Sequence, residues 1–249
     1  MTERRGTRGT AHPAPEEITP ARDLGLTTSA WLISDTHFGH RNIAGYCGRP
    51  SYAEERMFDA WHRLVSPRDP IVQLGDLALG HPEAIRLRLA ALPGDKFLVR
   101  GNRDTGSVAS YRDLGFAVIR PFFLDFAGWT ASFTHVPRPD LAGLPRHLNV
   151  HGHIHERLLP SLAHVNCAVE WTGYAPVRIE DLLARRIARI ASAGSMERVV
   201  PLPYAEWLAR EYGGEILRSD VERFPEAHER DRVRETYTAY RLVEAADQS

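Results

Sequence analysis

The sequence has almost no cysteine and a single lysine. Cys47 and Cys167 stand far apart and form no CxxC pair, so there is no disulfide framework, and a reducing cytosol is the expected compartment. Lys96 is the only lysine; the other thirty of the 31 basic residues are arginines, which reads as genome composition. No apolar run reaches the length of a membrane span. Arg4, Arg5 and Arg8 are followed by no apolar stretch, which speaks against a secretory signal. Charge of one sign is also missing: the formal net charge is -1 and the pI about 6.9. A dedicated DNA-coating role is disfavoured on that ground, though a nucleotide or a nucleic-acid end stays open as a substrate.

What is present is ordinary globular material. Apolar residues make up 43% of 249 and charged residues 25%, enough for one sizeable core. Residues 1–29, rich in Gly, Pro, Thr and Arg, lack periodicity and read as a flexible N-terminal tail. From Ala30 onward short apolar runs end in polar clusters. Ala30–Ser34, Ile71–Leu74 and Phe97–Val99 read as strands, separated by helical patterns over Tyr52–Val65, with Ser51 as cap, and Pro82–Leu92. Further strands are expected at Phe116–Ile119, Phe122–Phe126, Thr130–Thr134, Leu148–Val150, Val165–Ala168 and Val177–Ile179, then a helix at Glu180–Ala191. This order fits an α/β fold with two layers of mixed sheet flanked by helices. Beyond Gly194 the composition shifts, and helices over Tyr204–Tyr212 and Glu226–Ala246 form a C-terminal helical extension.

The polar clusters carry the chemistry. Four strand candidates end in Asp35-x-His37, Gly75-Asp76, Gly101-Asn102-x-Asp104 and Gly152-His153-x-His155, and a fifth ends at His135. Ligands in open α/β sheets sit at carboxyl strand ends, so carboxylates, imidazoles and one amide converge on one rim. Each cluster alone has a plainer reading: an Asx turn at Asp35, a helix cap at Asn102, a core histidine at His135, a small structural zinc site at His153-x-His155. Taken together they point to two divalent ions, about 3.5–4 Å apart, that need a shared anion between them. The mixed oxygen and nitrogen donors suit Mn, Fe, Zn or Ni better than Ca or Mg.

In this order the motifs resemble the calcineurin-like metallophosphoesterase family over about residues 30–193. The strings Ser34-Asp35-Thr36-His37-Phe38-Gly39-His40 and Val169-Glu170-Trp171-Thr172-Gly173-Tyr174 are similar to a branch of small, mostly uncharacterised bacterial and phage phosphoesterases. The resemblance implies a four-layer α/β/β/α sandwich. It implies that Asp35, His37 and His155 hold one ion and Asn102, His135 and His153 the other. Asp76 bridges them, and a hydroxide between the ions attacks phosphorus. It thereby implies a phosphomonoesterase or phosphodiesterase acting on a small phosphate ester, with a nucleotide among the candidates. Asp76, Asn102, Arg103 and Asp104 form the catalytic set.

Two positions depart from the family pattern. Arg103 stands where a His commonly follows the Asn, and Leu79 stands where a polar residue is frequent. Arginine can neutralise phosphoryl charge but stays protonated. His40 and Arg41, with Arg103, are candidate phosphate contacts. His151 is a candidate supporting residue, and Tyr46, Trp171 and Tyr174 are candidates for base stacking or plain packing. Two other readings stand beside the hydrolase. One is a non-catalytic interaction module on the same fold. The other is a nuclease, for which the near-neutral charge is unfavourable. The C-terminal extension is the expected surface for self-association.

Overall fold

A computed structural model describes residues 18–78, 83–157, 159 and 161–193, with the backbone of 200–201 and 240–241. In chain order the elements are β1 (Thr19–Pro20), a 3-10 turn (Ala21–Leu24), β2 (Trp31–Ile33), α1 (Ile43–Cys47), α2 (Ala53–Leu64) and β3 (Pro70–Gln73). Next come α3 (Glu83–Ala91), β4 (Asp95–Val99), α4 (Val108–Arg112), β5 (Phe116–Ile119), β6 (Phe122–Phe126), β7 (Trp129–Phe133) and α5 (Pro139–Ala142). Then follow β8 (His147–His151), β9 (His164–Asn166), α6 (Val169–Thr172), β10 (Val177–Arg178) and α7 (Ile179–Ala193). Two short strands, β11 (Val200–Pro201) and β12 (Tyr240–Arg241), pair antiparallel.

Ten strands build two five-stranded, mostly parallel sheets, in the orders β1-β6-β7-β8-β9 and β10-β2-β3-β4-β5. The second is parallel from β2 to β5, with β10 antiparallel at its edge. In the first, only the β6–β7 pair is antiparallel.

Alternation along the strands sorts the apolar side chains into two cores. Leu32, Val72 and Val99 of the second sheet share one core with Phe122, Phe133, Leu148, Val150 and Val165 of the first, joined by Ile179 and Leu183 of α7. Ile33, Ile71 and Leu98 face the other way, into a core with Met57, Phe58 and Trp61 of α2 and Leu89 of α3. Burial on both faces explains why β2, β3 and β4 read as unbroken apolar runs. The lone lysine is structural: Lys96 on β4 is buried, and its ammonium donates to the carbonyls of Leu89 and Ala90 at the end of α3, where a helix leaves acceptors unpaired.

Several expectations need correction. The N-terminal tail does not extend to residue 29. Thr19 and Pro20 pair in register with Phe122 and Phe123, and Ala21 and Leu26 enter the core between the sheets. Four apolar side chains in an otherwise polar stretch, Ile18, Ala21, Leu24 and Leu26, carry this anchoring, too sparse a set to show periodicity. Ser51 does not cap α2: Tyr52 occupies the N-cap position, without a side-chain cap bond. The helix expected over 226–246 is contradicted at Tyr240 and Arg241, which are extended and paired with β11. The rest of that helix, the helix over 204–212, Leu79 and Pro82 lie outside the described residues. Among the described residues no helix is long and apolar enough to cross a membrane.

Candidate metal centre

The two sheets are stitched together where their strands end. Ser34, after β2, bridges in parallel to Ala168, after β9. Beyond that bridge the backbone turns sharply at the polar clusters. Of the eight non-glycine residues with positive φ among the described residues, five are Asp35, His37, Asp76, His153 and His155. Left-handed backbone at such residues is strained by about 1–3 kcal/mol each. It persists here because the loops are tied in place: Asp35 N donates to Gly75 O at 3.0 Å, His37 N to Asp76 O at 2.9 Å, and Gly152 N to His135 O at 3.0 Å.

Three glycines allow the loops to approach. A Cβ on Gly101 would fall onto Oδ1 of Asp76, one on Gly152 onto Oδ2 of Asp35, and one on Gly75 onto the ring of His135. Only glycine fits where a ligand side chain lies directly against the neighbouring backbone.

The candidate ligands fall into two groups whose donor atoms lie within 4.8 Å of one another: Asp35, His37 and His155, and Asp76, His135 and His153. Asn102 joins the second, its Oδ1 lying 3.2 Å from His135 Nε2 and 3.0 Å from His153 Nδ1. Asp76 lies between the groups. Its Oδ2 is 3.4 Å from His37 Nε2 and its Oδ1 is 3.5 Å from His135 Nε2.

Three observations test whether cations fit. Both ring nitrogens of His37 are buried without a hydrogen-bond partner, a costly arrangement unless an ion uses one of them. His135 donates Nδ1–H to Leu74 O at 2.9 Å, which leaves Nε2, facing Asp76 and Asn102, as the nitrogen that an ion would take. The local field is also negative. Burial works against charge on His135 and His155, yet Asp76 and Asp35 push His135 up to about 9, and Glu170 and Asp35 push His155 up to about 11. Burial likewise opposes ionisation of Asp76, but His135 and the Arg103 amide hold it down at about 2. The carboxylates thus favour positive charge at the His135 and His155 imidazoles, which divalent ions would supply, while burial lowers His37 to about 3 and keeps it neutral, as a metal ligand must be. The donor set fits two divalent ions.

Not every candidate side chain reaches the site. A cavity of about 440 Å³ opens over the two groups, with His40 and Arg103 on its walls. Arg41 lines a neighbouring cavity of about 510 Å³ instead. Asp104 is buried and is not on the wall; its carboxylate accepts the amides of Asp76 (2.7 Å), Leu77 (3.1 Å) and Gly101 (2.7 Å). Asp104 therefore braces the two ligand loops from behind, where the sequence suggested a catalytic group. His151 is fully buried with Nδ1 2.9 Å from Gly152 O, off the cavity. Tyr174 is buried in the outer core, and Trp171 donates to His155 O at 3.0 Å. Tyr46 is exposed on the cavity wall.

Arg49 escaped the sequence reading altogether. Its guanidinium is buried against Glu170, within 2.7 Å, and no periodicity or motif around Gly48-Arg49-Pro50 announces it.

Comparison with known proteins sets the chain among relatives. No family model matches it. A solved structure of a protein of unknown function from Aquifex aeolicus, AQ665, is 25% identical, with a TM-score of 0.51, covering 65% of this chain and 98% of that one. A nuclease from Pseudomonas putida, MPE, is 21% identical with a TM-score of 0.37, over 51% of this chain and 62% of that one; a likeness that low carries no functional argument. The uncharacterized protein MJ1445 of Methanocaldococcus jannaschii is 31% identical over 180 residues, which cover 64% of this chain and 91% of that protein. Identity at that level across nearly the whole of the relative makes the chain a member of the same family as MJ1445.

Proposed function

We propose that the protein is a metal-dependent phosphoester hydrolase with a binuclear centre, built on the four-layer α/β/β/α sandwich of the metallophosphoesterases. The observation that carries this reading is the carboxylate of Asp76, which turns one oxygen toward His37 and the other toward His135. Asp35, His37 and His155 would hold one divalent ion, Asn102, His135 and His153 the other, and Asp76 would serve both. Bound ions supply Lewis-acid charge and a water of lowered pKa.

The chain's own groups do the rest. Arg103, exposed on the cavity wall, offers a planar fork of donors to phosphoryl oxygens. Its backbone amide fixes Oδ1 of Asp76 at 2.8 Å, so the bridging carboxylate is oriented before substrate arrives. His40 lines the same cavity and stands within reach of a phosphate held there. The two cores sharing the second sheet support the sandwich architecture.

The reading is tested with bis-p-nitrophenyl phosphate, assayed after chelation and after adding back Mn, Ni or Zn. Hydrolysis that follows the ions, and a loss of more than about 100-fold in Asp76→Asn, is the expected result. Turnover indifferent to chelation would sink it.

A further inference from the structure

The β9–α6 connection grips one candidate ligand, His155, at three points. Asn166 Nδ2 and Trp171 Nε1 donate to its carbonyl at 2.8 and 3.0 Å, and Oε1 of Glu170 lies 3.3 Å from its ring Nδ1. His155 sits at φ 53°, so these contacts hold a backbone that would otherwise relax. Glu170 is itself held. Arg49 Nε and Nη2 both reach its Oε1 at 2.7 Å, with side chains only 2% exposed on each partner. The same guanidinium donates to the carbonyls of Thr36 (2.8 Å) and Asp35 (2.5 Å), the loop that carries the other two ligands of that group.

Hydrogen counting assigns the proton. Arg49 Nη2 also lies 3.4 Å from His155 Nδ1. An Nη has two hydrogens, and both are engaged at shorter range by Glu170 and the Asp35 carbonyl. The buried Cys47 thiol is a further neighbour, but a thiol is a weak hydrogen-bonding group beside a carboxylate. Nδ1 therefore finds its partner in Glu170, which only accepts, so Nδ1 carries a hydrogen and Nε2 is the nitrogen left to meet a cation.

We infer that Arg49 and Glu170 are positioning residues that fix the tautomer and aim of His155 toward the cation held with Asp35 and His37. The inference rests on the binuclear reading. It accounts for Glu170 within the Val169–Tyr174 string, none of whose residues lines either of the two cavities beside the candidate ligands. The bonds that Arg49 and Glu170 make run to His155 and to the Asp35 and Thr36 carbonyls, so the effect is expected at the ion of that group.

Removing one member of a buried pair strands the other charge and endangers the fold, so the test removes both. Arg49→Met with Glu170→Gln leaves an amide oxygen to accept from Nδ1. Arg49→Met with Glu170→Leu leaves no acceptor. Co²⁺ binding to the full chain is followed by equilibrium dialysis and visible absorption, with His155→Ala marking which transition belongs to His155. The Gln pair, without Arg49 but with an acceptor for Nδ1, should lose less at the His155-dependent transition than the Leu pair and keep the other transition within about threefold of its natural affinity. The Leu pair should weaken only the transition that His155→Ala weakens, by about 10–100-fold. In the Zn²⁺-loaded proteins, imidazole ¹⁵N spectra should show His155 protonated at Nδ1 in the natural chain and the Gln pair, and a changed resonance in the Leu pair. Two bound Co²⁺ with indistinguishable double variants, or equal weakening of both transitions, would overturn this inference alone. A natural chain that takes up no Co²⁺ would overturn the binuclear reading and this inference with it.

Discussion

The carboxylate of Asp104 accepts the backbone amide of Asp76 at 2.7 Å. Because the same carboxylate also accepts from Leu77 and Gly101, one buried side chain sets the spacing of two loops. Hydrogen bonds to a charged acceptor are worth about 1.5–3 kcal/mol each, and a stranded amide adds to the loss. Asp104→Ala should lower stability by at least about 4 kcal/mol, roughly 8–16 °C or more in Tm at this size, with activity lost alongside. Thermal unfolding and hydrolysis measured on one preparation check this. A variant that kept its Tm and lost only turnover would make Asp104 a participant in the chemistry.

Gly101 and Gly152 should tolerate no side chain. A methyl on Gly101 meets Asp76, and one on Gly152 meets Asp35 and the Ser34 hydroxyl. Neither glycine has a positive φ, so alanine's own dihedral angles are acceptable and the conflict is with the candidate ligands and the groups beside them, the Asp76 amide and the Ser34 hydroxyl. Gly101→Ala and Gly152→Ala are expected to fold, to lose bound metal, and to fall more than about tenfold in rate. Elemental analysis beside circular dichroism separates this from general misfolding.

On the proposed reading, Arg103 should make hydrolysis sensitive to the leaving group. A general acid contributes about 10²–10⁴ to departure of a poor leaving group. A guanidinium with a pKa above about 12 cannot act as one at useful rates. Aryl esters should therefore be cleaved much faster than alkyl esters. Arg103→His should narrow that gap, and Arg103→Ala should slow both. A leaving-group series at saturating metal reads the slope directly; a flat natural profile would point to another acid, with His40 on the same cavity wall.

His164 should make the fold acid-labile. It is buried on β9, neither ring nitrogen has a partner, and burial together with nearby Arg186 lowers its pKa to about 3. Between about pH 6.5 and 3 the unfolded chain binds a proton there that the native chain does not. Stability from this residue is thus complete above about 6.5 and falls as pH drops, by roughly 1.4 kcal/mol per unit. Denaturant titrations from pH 7 to 4 should show a shallower decline in His164→Gln than in the natural chain. Parallel slopes would mean that other groups govern acid unfolding.

Much of the architecture was legible because it is local. β2, β3 and β4 are short apolar runs bounded by glycine and polar residues, and α2 and α7 show their apolar stripes at helical spacing. The candidate ligands were legible for the same reason: each lies immediately after such a run, so naming the strand also names the residue at its end. What local pattern cannot carry is partnership at a distance. The pairing of Thr19 with Phe122 joins segments with no turn between them to set register. Parallel strands have no hairpin to announce them. Arg49 and Glu170 are 121 residues apart, and either one in isolation reads as an ordinary surface charge. Asp104 looked like a site residue because it stands two places from Asn102; its carboxylate points instead at three backbone amides. The sequence by itself determined which donors stand at the strand ends, since strand and turn propensities act over a few residues. The tertiary structure alone decided which of them meet across Asp76 and which brace from behind, since burial and long-range pairing exist only once both sheets are packed.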